Sequence, residues 1–171
     1  FMSHLQNPIG ASLSNERKQV LYQLLKQHQV PMLEDDVYAE LYFGSTPPAP
    51  VKAFDDEGLV IHCSSFSKCL APGYRVGWVA GGRYAQEISR LKLMTTISPS
   101  IPAQAAIADY LQHGGYDRHL RKLRHALEAQ QTSMLAAADR YFPAHTRITR
   151  PVGGYFLWVE FPEHVDSLQL F

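Results

Sequence analysis

Short apolar runs separated by helix-length segments limit the folds open to this chain more than any other feature. Ser14 is placed to cap a helix running to about Gln29, with Val20, Leu21, Leu24 and Leu25 on one face and Pro31 ending it. Pro31 to Glu34 then leads into a short buried strand. Leu59 to Cys63 (LVIHC) reads as a second strand and Arg75 to Ala80 (RVGWVA) as a third. A helix from about Tyr84 to Ile97 is expected to turn Ile88, Leu91 and Met94 inward, until Pro99 and Pro102 break it. Pro102 suits the first turn of the next helix, which ends at Gly114-Gly115. Helices alternating with short apolar strands argue for an α/β fold around a mostly parallel sheet.

Asp117 is suited to cap one long helix reaching about Tyr141, with Leu120, Leu123, Leu127, Met134 and Leu135 as its inner stripe. After Pro143 the pattern changes to strands, Arg147 to Arg150 and Tyr155 to Phe161, joined through Pro151 and Gly153-Gly154. This change divides the chain. Residues 1–115 form part of a large α/β domain, and residues 116–171 form the connecting helix and the start of a smaller α+β C-terminal domain. Both ends read as cut from a longer protein. Phe1 falls inside the end of a strand, and Asp166-Ser167 resembles a helix N-cap that Phe171 interrupts.

Composition narrows the function classes. The formal net charge is +0, whereas a nucleic-acid-binding module normally carries a basic excess. Direct DNA contact by this segment is therefore not expected. No apolar run approaches the ~20 residues that span a bilayer, and the N-terminal residues lack a signal-peptide pattern. Cys63 and Cys69 read as small buried thiols of a reducing compartment, which points to the cytoplasm.

In open α/β sheets, ligands bind in the crevice beyond the carboxyl ends of the strands. Three groups of residues fall at such ends. They are Asn7-Pro8-Ile9-Gly10, the acidic pair Asp35-Asp36 with Tyr38, and the serine-rich turn Ser64 to Lys68. The eight histidines are scattered and no set has metal-ligand spacing, so no metal is expected. Gly-x-Gly-x-x-Gly, Walker and Gly-x-Ser-x-Gly motifs are all missing from the sequence.

Asn7-Pro8-x-Gly10, Asp35-x-x-Tyr38, Ser65-x-Ser67-Lys68 and Arg75-x-Gly77, in this order and spacing, resemble the fold-type-I pyridoxal-phosphate enzymes of the class I/II aminotransferase family. The resemblance extends over the whole chain, through GGYFLWVEF. It implies a central portion of a PLP-dependent transferase-like fold, with pyridoxal 5'-phosphate as cofactor and a homodimer as the assembly. Lys68 would carry the cofactor as a Schiff base and shuttle the substrate α-proton. An amine of reference pKa ~10.4 is almost wholly protonated at pH 7, so a productive site desolvates it or sets cations nearby. Asp35 would keep the pyridine nitrogen protonated. Asn7 and Tyr38 would hydrogen-bond the ring's phenolic oxygen, while Ser65, Ser67 and Arg75 would hold the phosphate. In the family, an upstream loop supplies a stacking aromatic, and a downstream arginine grips the substrate carboxylate.

Other residues read more plainly. Asp36 reads as a loop acid, Trp78 and Trp158 as core, and Arg118, Arg121, Lys122 and Arg124 as a solvated basic helical face. Two functions share the resemblance. QNPIGASLS, EDDVYAELYF and GGYDRHLRKLR are most similar to the aminotransferase-like domain of MocR-type regulators. There a GntR-type winged-helix module outside this segment would bind DNA, and an amino acid or 2-oxo acid would be the sensed ligand. A metabolic aminotransferase, moving an amino group between an amino acid and a 2-oxo acid, is the alternative.

Overall fold

Ser14 starts the first helix, α1 (Asn15–His28), as its spacing predicts: the hydroxyl accepts from the Arg17 amide at 3.4 Å, and Gln29 closes the helix in the left-handed region. The computed structural model describes residues 1–166, 168 and 169. Only Asp166 of the cap expected at Asp166-Ser167 falls within them.

The inner face of α1 differs from the expected one. Val20 and Leu24 are 62% and 51% exposed, whereas Lys18 and Tyr22 are buried, with Leu21 and Leu25 packed beside them. Both buried side chains have polar heads that find partners in the 49–57 segment. The Lys18 ammonium donates to the Ala49 carbonyl at 2.7 Å. The Tyr22 hydroxyl accepts from the amides of Asp56 and Glu57 and donates to the Asp56 carboxylate.

Behind this helix lies the sheet. β1 (Met32–Asp35) pairs in parallel with β2 (Val60–Ser65), in a register that sets Met32 opposite Val60 and Asp35 opposite Cys63. The main chain of Phe1 flanks β1 on its other side, donating to Leu33 and accepting from Asp35. β3 (Gly77–Ala80) returns antiparallel to β2, with Ser65 opposite Gly77. The 66–76 connection contains no crossover helix, and a parallel return would need one. Arg75, expected within the third strand, stands before it in the left-handed region, with φ 54.

The pair α2 (Ala85–Thr96) and α3 (Ile101–Gln112) follows. No α2 residue is buried. Leu91 and Met94, expected inside, are 60% and 80% exposed, and Ile88 is half-buried.

The long helix α4 (Gly115–Tyr141) begins after Gly114, and Asp117 lies in its first turn rather than capping it. A carboxylate there still favours the helix dipole. Leu120, Leu127 and Ala138 are buried and Leu123 partly so, whereas Met134 is exposed. The two expected C-terminal strands shorten to β4 (Arg147–Ile148) and β5 (Val159–Glu160), an antiparallel pair.

Between those strands, residues 152–156 cross back to the segment after β1. Gly153 bridges Tyr42, and its missing Cβ matters, because a methyl there would collide with the main chain of Leu41 and Tyr42. Leu5, Tyr38, Leu41, Cys69, Leu120 and Leu127 form one buried cluster, against which Phe156 packs. This cluster joins the opening segment, the turn after β1, the turn after β2 and α4.

Three further expectations are corrected. Trp78 and Trp158 are 45% and 40% exposed rather than core. Arg124 leaves the solvated face: it stacks 4.0 Å over the Tyr42 ring and donates to the Glu40 carbonyl. Asp36 is a buried acid, 2.9 Å from His62 Nε2.

Candidate functional site

The chain turns tightly after β2. The Phe66 carbonyl accepts from the amides of Leu70 and Ala71, and the Ser67 amide donates to Ser65 Oγ at 3.3 Å. Lys68 stands exposed on this turn, its ammonium 6.0 Å from the centre of the Tyr38 ring. Among the described residues that ammonium has no hydrogen-bond or ion-pair partner. Arg75 reaches back from beyond the turn, with Nη1 3.3 Å from Ser67 Oγ and 3.3 Å from the Pro72 carbonyl.

Asp35 closes β1. Its carboxylate accepts from the Val37 amide at 3.3 Å, and the parallel register carries it to the same end of the sheet as Ser65. Tyr38 is 4% exposed, and burial, then the charge of Asp35, pushes its hydroxyl pKa up. Tyr155 and Phe156 meet its ring edge-on at 6.3 and 5.3 Å. A cleft of about 440 Å³ opens beside Lys68, lined by Tyr38, Ser67, His119, Tyr155 and Phe156 among others.

The structure thus gathers Tyr38, Ser67 and Lys68 on one cleft. Ser65 and Arg75 are tied to it through Ser67, and Asp35 stands three residues before Tyr38 at the end of β1. Asn7 is exposed in the turn closed by the Gly10 amide and the Gln6 carbonyl, and it makes no hydrogen bond to the other six.

Cys69 is the buried thiol that its sequence context suggests, but the side-chain contacts beneath the lysine went unread. The Tyr155 hydroxyl donates to the Lys68 carbonyl. His119 Nε2 donates to the Cys69 carbonyl at 2.8 Å. The buried Cys69 thiol, its pKa raised by burial, contacts the Tyr116 hydroxyl at 3.1 Å. Gly153-Gly154 ahead of Tyr155 was the legible signal, since Gly154 adopts φ +82 and turns the chain there.

The family model described as aminotransferase class I and II matches residues 1–171. The chain belongs to this family. Within it, the chain is 50% identical to the uncharacterized HTH-type transcriptional regulator YdcR of Escherichia coli (strain K12), over 99% of its own length and 36% of the relative's. It is also similar to the multiple substrate aminotransferase of Thermococcus profundus, with 34% identity and a TM-score of 0.90. That match covers 98% of this chain and 42% of the solved one. LysN, the α-aminoadipate aminotransferase of Thermus thermophilus, was solved with N-(5'-phosphopyridoxyl)-L-leucine and matches at 30% identity and a TM-score of 0.93, over 100% of this chain and 45% of its own. The chain is an aminotransferase-like domain portion that spans about a third of the length of its regulator relative. Among the described residues, no helix is long and apolar enough to cross a membrane.

Proposed function

We propose that this aminotransferase-like domain holds pyridoxal 5'-phosphate covalently on Lys68 and serves as the ligand-sensing part of a MocR/GntR-type transcription regulator. The observation that carries the cofactor reading is the Lys68 ammonium, unpaired among the described residues, beyond the carboxyl end of β2. The Ser67–Arg75 pair lies on one side of it and Asp35 at the end of the adjacent parallel strand.

The donor set fits the group. Ser65, Ser67 and the guanidinium of Arg75 offer hydroxyl and charged N–H donors suited to a phosphate. Asp35 offers a carboxylate to hold a proton on a pyridine nitrogen, an interaction worth about 1.5–3 kcal/mol. Tyr38 has a hydroxyl free to donate, and Asn7 supplies an amide. When bound, the cofactor supplies an electron sink for charge developing at an amino acid's α-carbon. The chain's own task is to bind and orient the group, and to move the α-proton at Lys68 Nζ.

The regulator reading is supported by the 50% identity to YdcR over nearly the whole chain. DNA would then be bound by a module outside residues 1–171, and an amino acid or 2-oxo acid would be the ligand. We further infer a cytoplasmic homodimer. The likeness to two aminotransferases at TM-scores of 0.90 and 0.93 favours a second reading, a metabolic aminotransferase.

One experiment separates the two. The full-length protein is tested for binding to its own promoter DNA, and for transfer of an amino group from a panel of amino acids to 2-oxo acids. The regulator reading expects DNA binding altered by cofactor and amino acid, with that response lost in Lys68→Ala. Turnover without DNA binding would overturn it in favour of the enzyme.

A further inference from the structure

We propose that Tyr155 and His119 are positioning residues for Lys68, clamping the main chain from which its amine projects. The inference rests on the reading of Lys68 as the cofactor-bearing residue.

Two consecutive carbonyls, those of Lys68 and Cys69, are each held by a side chain from far along the sequence. Tyr155 lies 87 residues after Lys68, and His119 lies 50 after Cys69. A third tie, from the Tyr116 hydroxyl to the buried Cys69 thiol, fixes the same dipeptide to α4. The turn uses its own amides to satisfy the Phe66 carbonyl, so the carbonyls of residues 68 and 69 look outward for donors. Water could supply such donors at an exposed site. Tyr155 is 46% exposed and lines the cleft, so its hydroxyl is not needed merely to satisfy a buried carbonyl.

What the hydroxyl adds is position. The Tyr155 ring also meets Tyr38 edge-on at 6.3 Å, and Tyr38 is the ring over which the Lys68 ammonium sits. One side chain therefore fixes both the base of the lysine and the aromatic surface beneath its tip. Gly153 and Gly154 bring Tyr155 there: Gly153 crosses the Leu41–Tyr42 main chain where a Cβ has no room, and Gly154 turns the chain at φ +82. The clamp ties the C-terminal segment and α4 to the reactive amine. A shift in either element is thereby transmitted to Lys68.

The test uses the full-length protein loaded with pyridoxal 5'-phosphate, with two readouts: the pH midpoint of the cofactor's visible absorbance band, and the rate of cofactor release to a trapping apo-protein. Tyr155→Phe and His119→Ala should each shift the midpoint and speed release by roughly five- to tenfold, as expected for loss of one hydrogen bond. His119→Gln retains an N–H donor and should restore wild-type behaviour. Midpoints and release rates unchanged in both Tyr155→Phe and His119→Ala would overturn the clamp while leaving the cofactor reading intact. A wild-type protein without any Lys68-linked cofactor would overturn both, since the clamp would then have nothing to position.

Discussion

Glu34 is 0% exposed, and its carboxylate accepts from the Ser3 hydroxyl and from the amides of Val51 and Lys52, the latter two at 2.8 and 3.0 Å. Glu34→Ala would leave two buried donors, on Ser3 and Val51, and the part-buried Lys52 amide without an acceptor, each buried one costing about 1–3 kcal/mol. Chemical denaturation should show a loss of roughly 2 kcal/mol or more, with Glu34→Gln recovering part of it. His4 lies nearby, buried, with Nδ1 unpartnered, and its pKa is lowered to about 4 by burial and then by the Lys18 charge, against the opposing pull of Asp36. The unfolded chain takes up this proton near pH 6.5, before the folded chain does. The stability associated with neutral His4 is therefore present above pH 6.5 and declines as pH falls toward about 4. Denaturation midpoints measured at about pH 7.5 and about pH 4.5, either side of most of that window, should differ less in His4→Gln than in the wild type. Motif spacing singled out seven candidate residues, of which the structure sets Tyr38, Ser67 and Lys68 on one cleft. The contacts of Tyr155 and His119 with the Lys68 and Cys69 carbonyls were not legible, because a side chain that meets a main-chain carbonyl leaves no residue-type pattern, and Gly153-Gly154 marked only the turn ahead of Tyr155.

At the scale of elements, the order and type of each α-helix and β-strand through α4 could be read from apolar period, prolines and glycines, whereas the short 3-10 turns could not. Which face of a helix turned inward could not. In α1 the apolar side chains Val20 and Leu24 point outward because Lys18 and Tyr22 find carbonyl, amide and carboxylate partners more than thirty residues away. Periodicity scores hydrophobicity and cannot see a distant partner. Val20→Lys and Leu24→Lys should accordingly change stability by less than about 0.5 kcal/mol. Tyr22→Phe, which strips the amides of Asp56 and Glu57 of their acceptor, should cost about 1–3 kcal/mol. Thermal or urea unfolding of the three variants checks the contrast. The short C-terminal strands have another origin: YFLWVEF is a continuous apolar run that reads as one long strand, but Gly153-Gly154 commits residues 152–156 to crossing the segment after β1.

Over the whole molecule, α2 and α3 leave Leu91, Leu93, Met94, Ile97 and Ile101 exposed, each at 60% or more. In the isolated chain, exposed apolar side chains in this number favour association. The isolated 171-residue chain should self-associate with concentration in sedimentation, and Met94→Glu with Ile97→Glu should reduce that association. The division at residue 115 remains a proposal. Residues 152–156 pack onto the Leu5–Leu41 cluster, and so bind the later part of the chain to the earlier. Because the chain covers 36% of YdcR and 42–45% of the solved aminotransferases, choice of ligand belongs to the whole protein. The central claim concerns Lys68, and borohydride reduction of the full-length protein with pyridoxal 5'-phosphate, followed by peptide mapping, tests it most directly. The account predicts a single label on Lys68 that disappears in Lys68→Ala, while Asp35→Ala binds the cofactor more weakly. A label on Lys52 or Lys92 instead, or a full-length protein that takes no label at all, would contradict it.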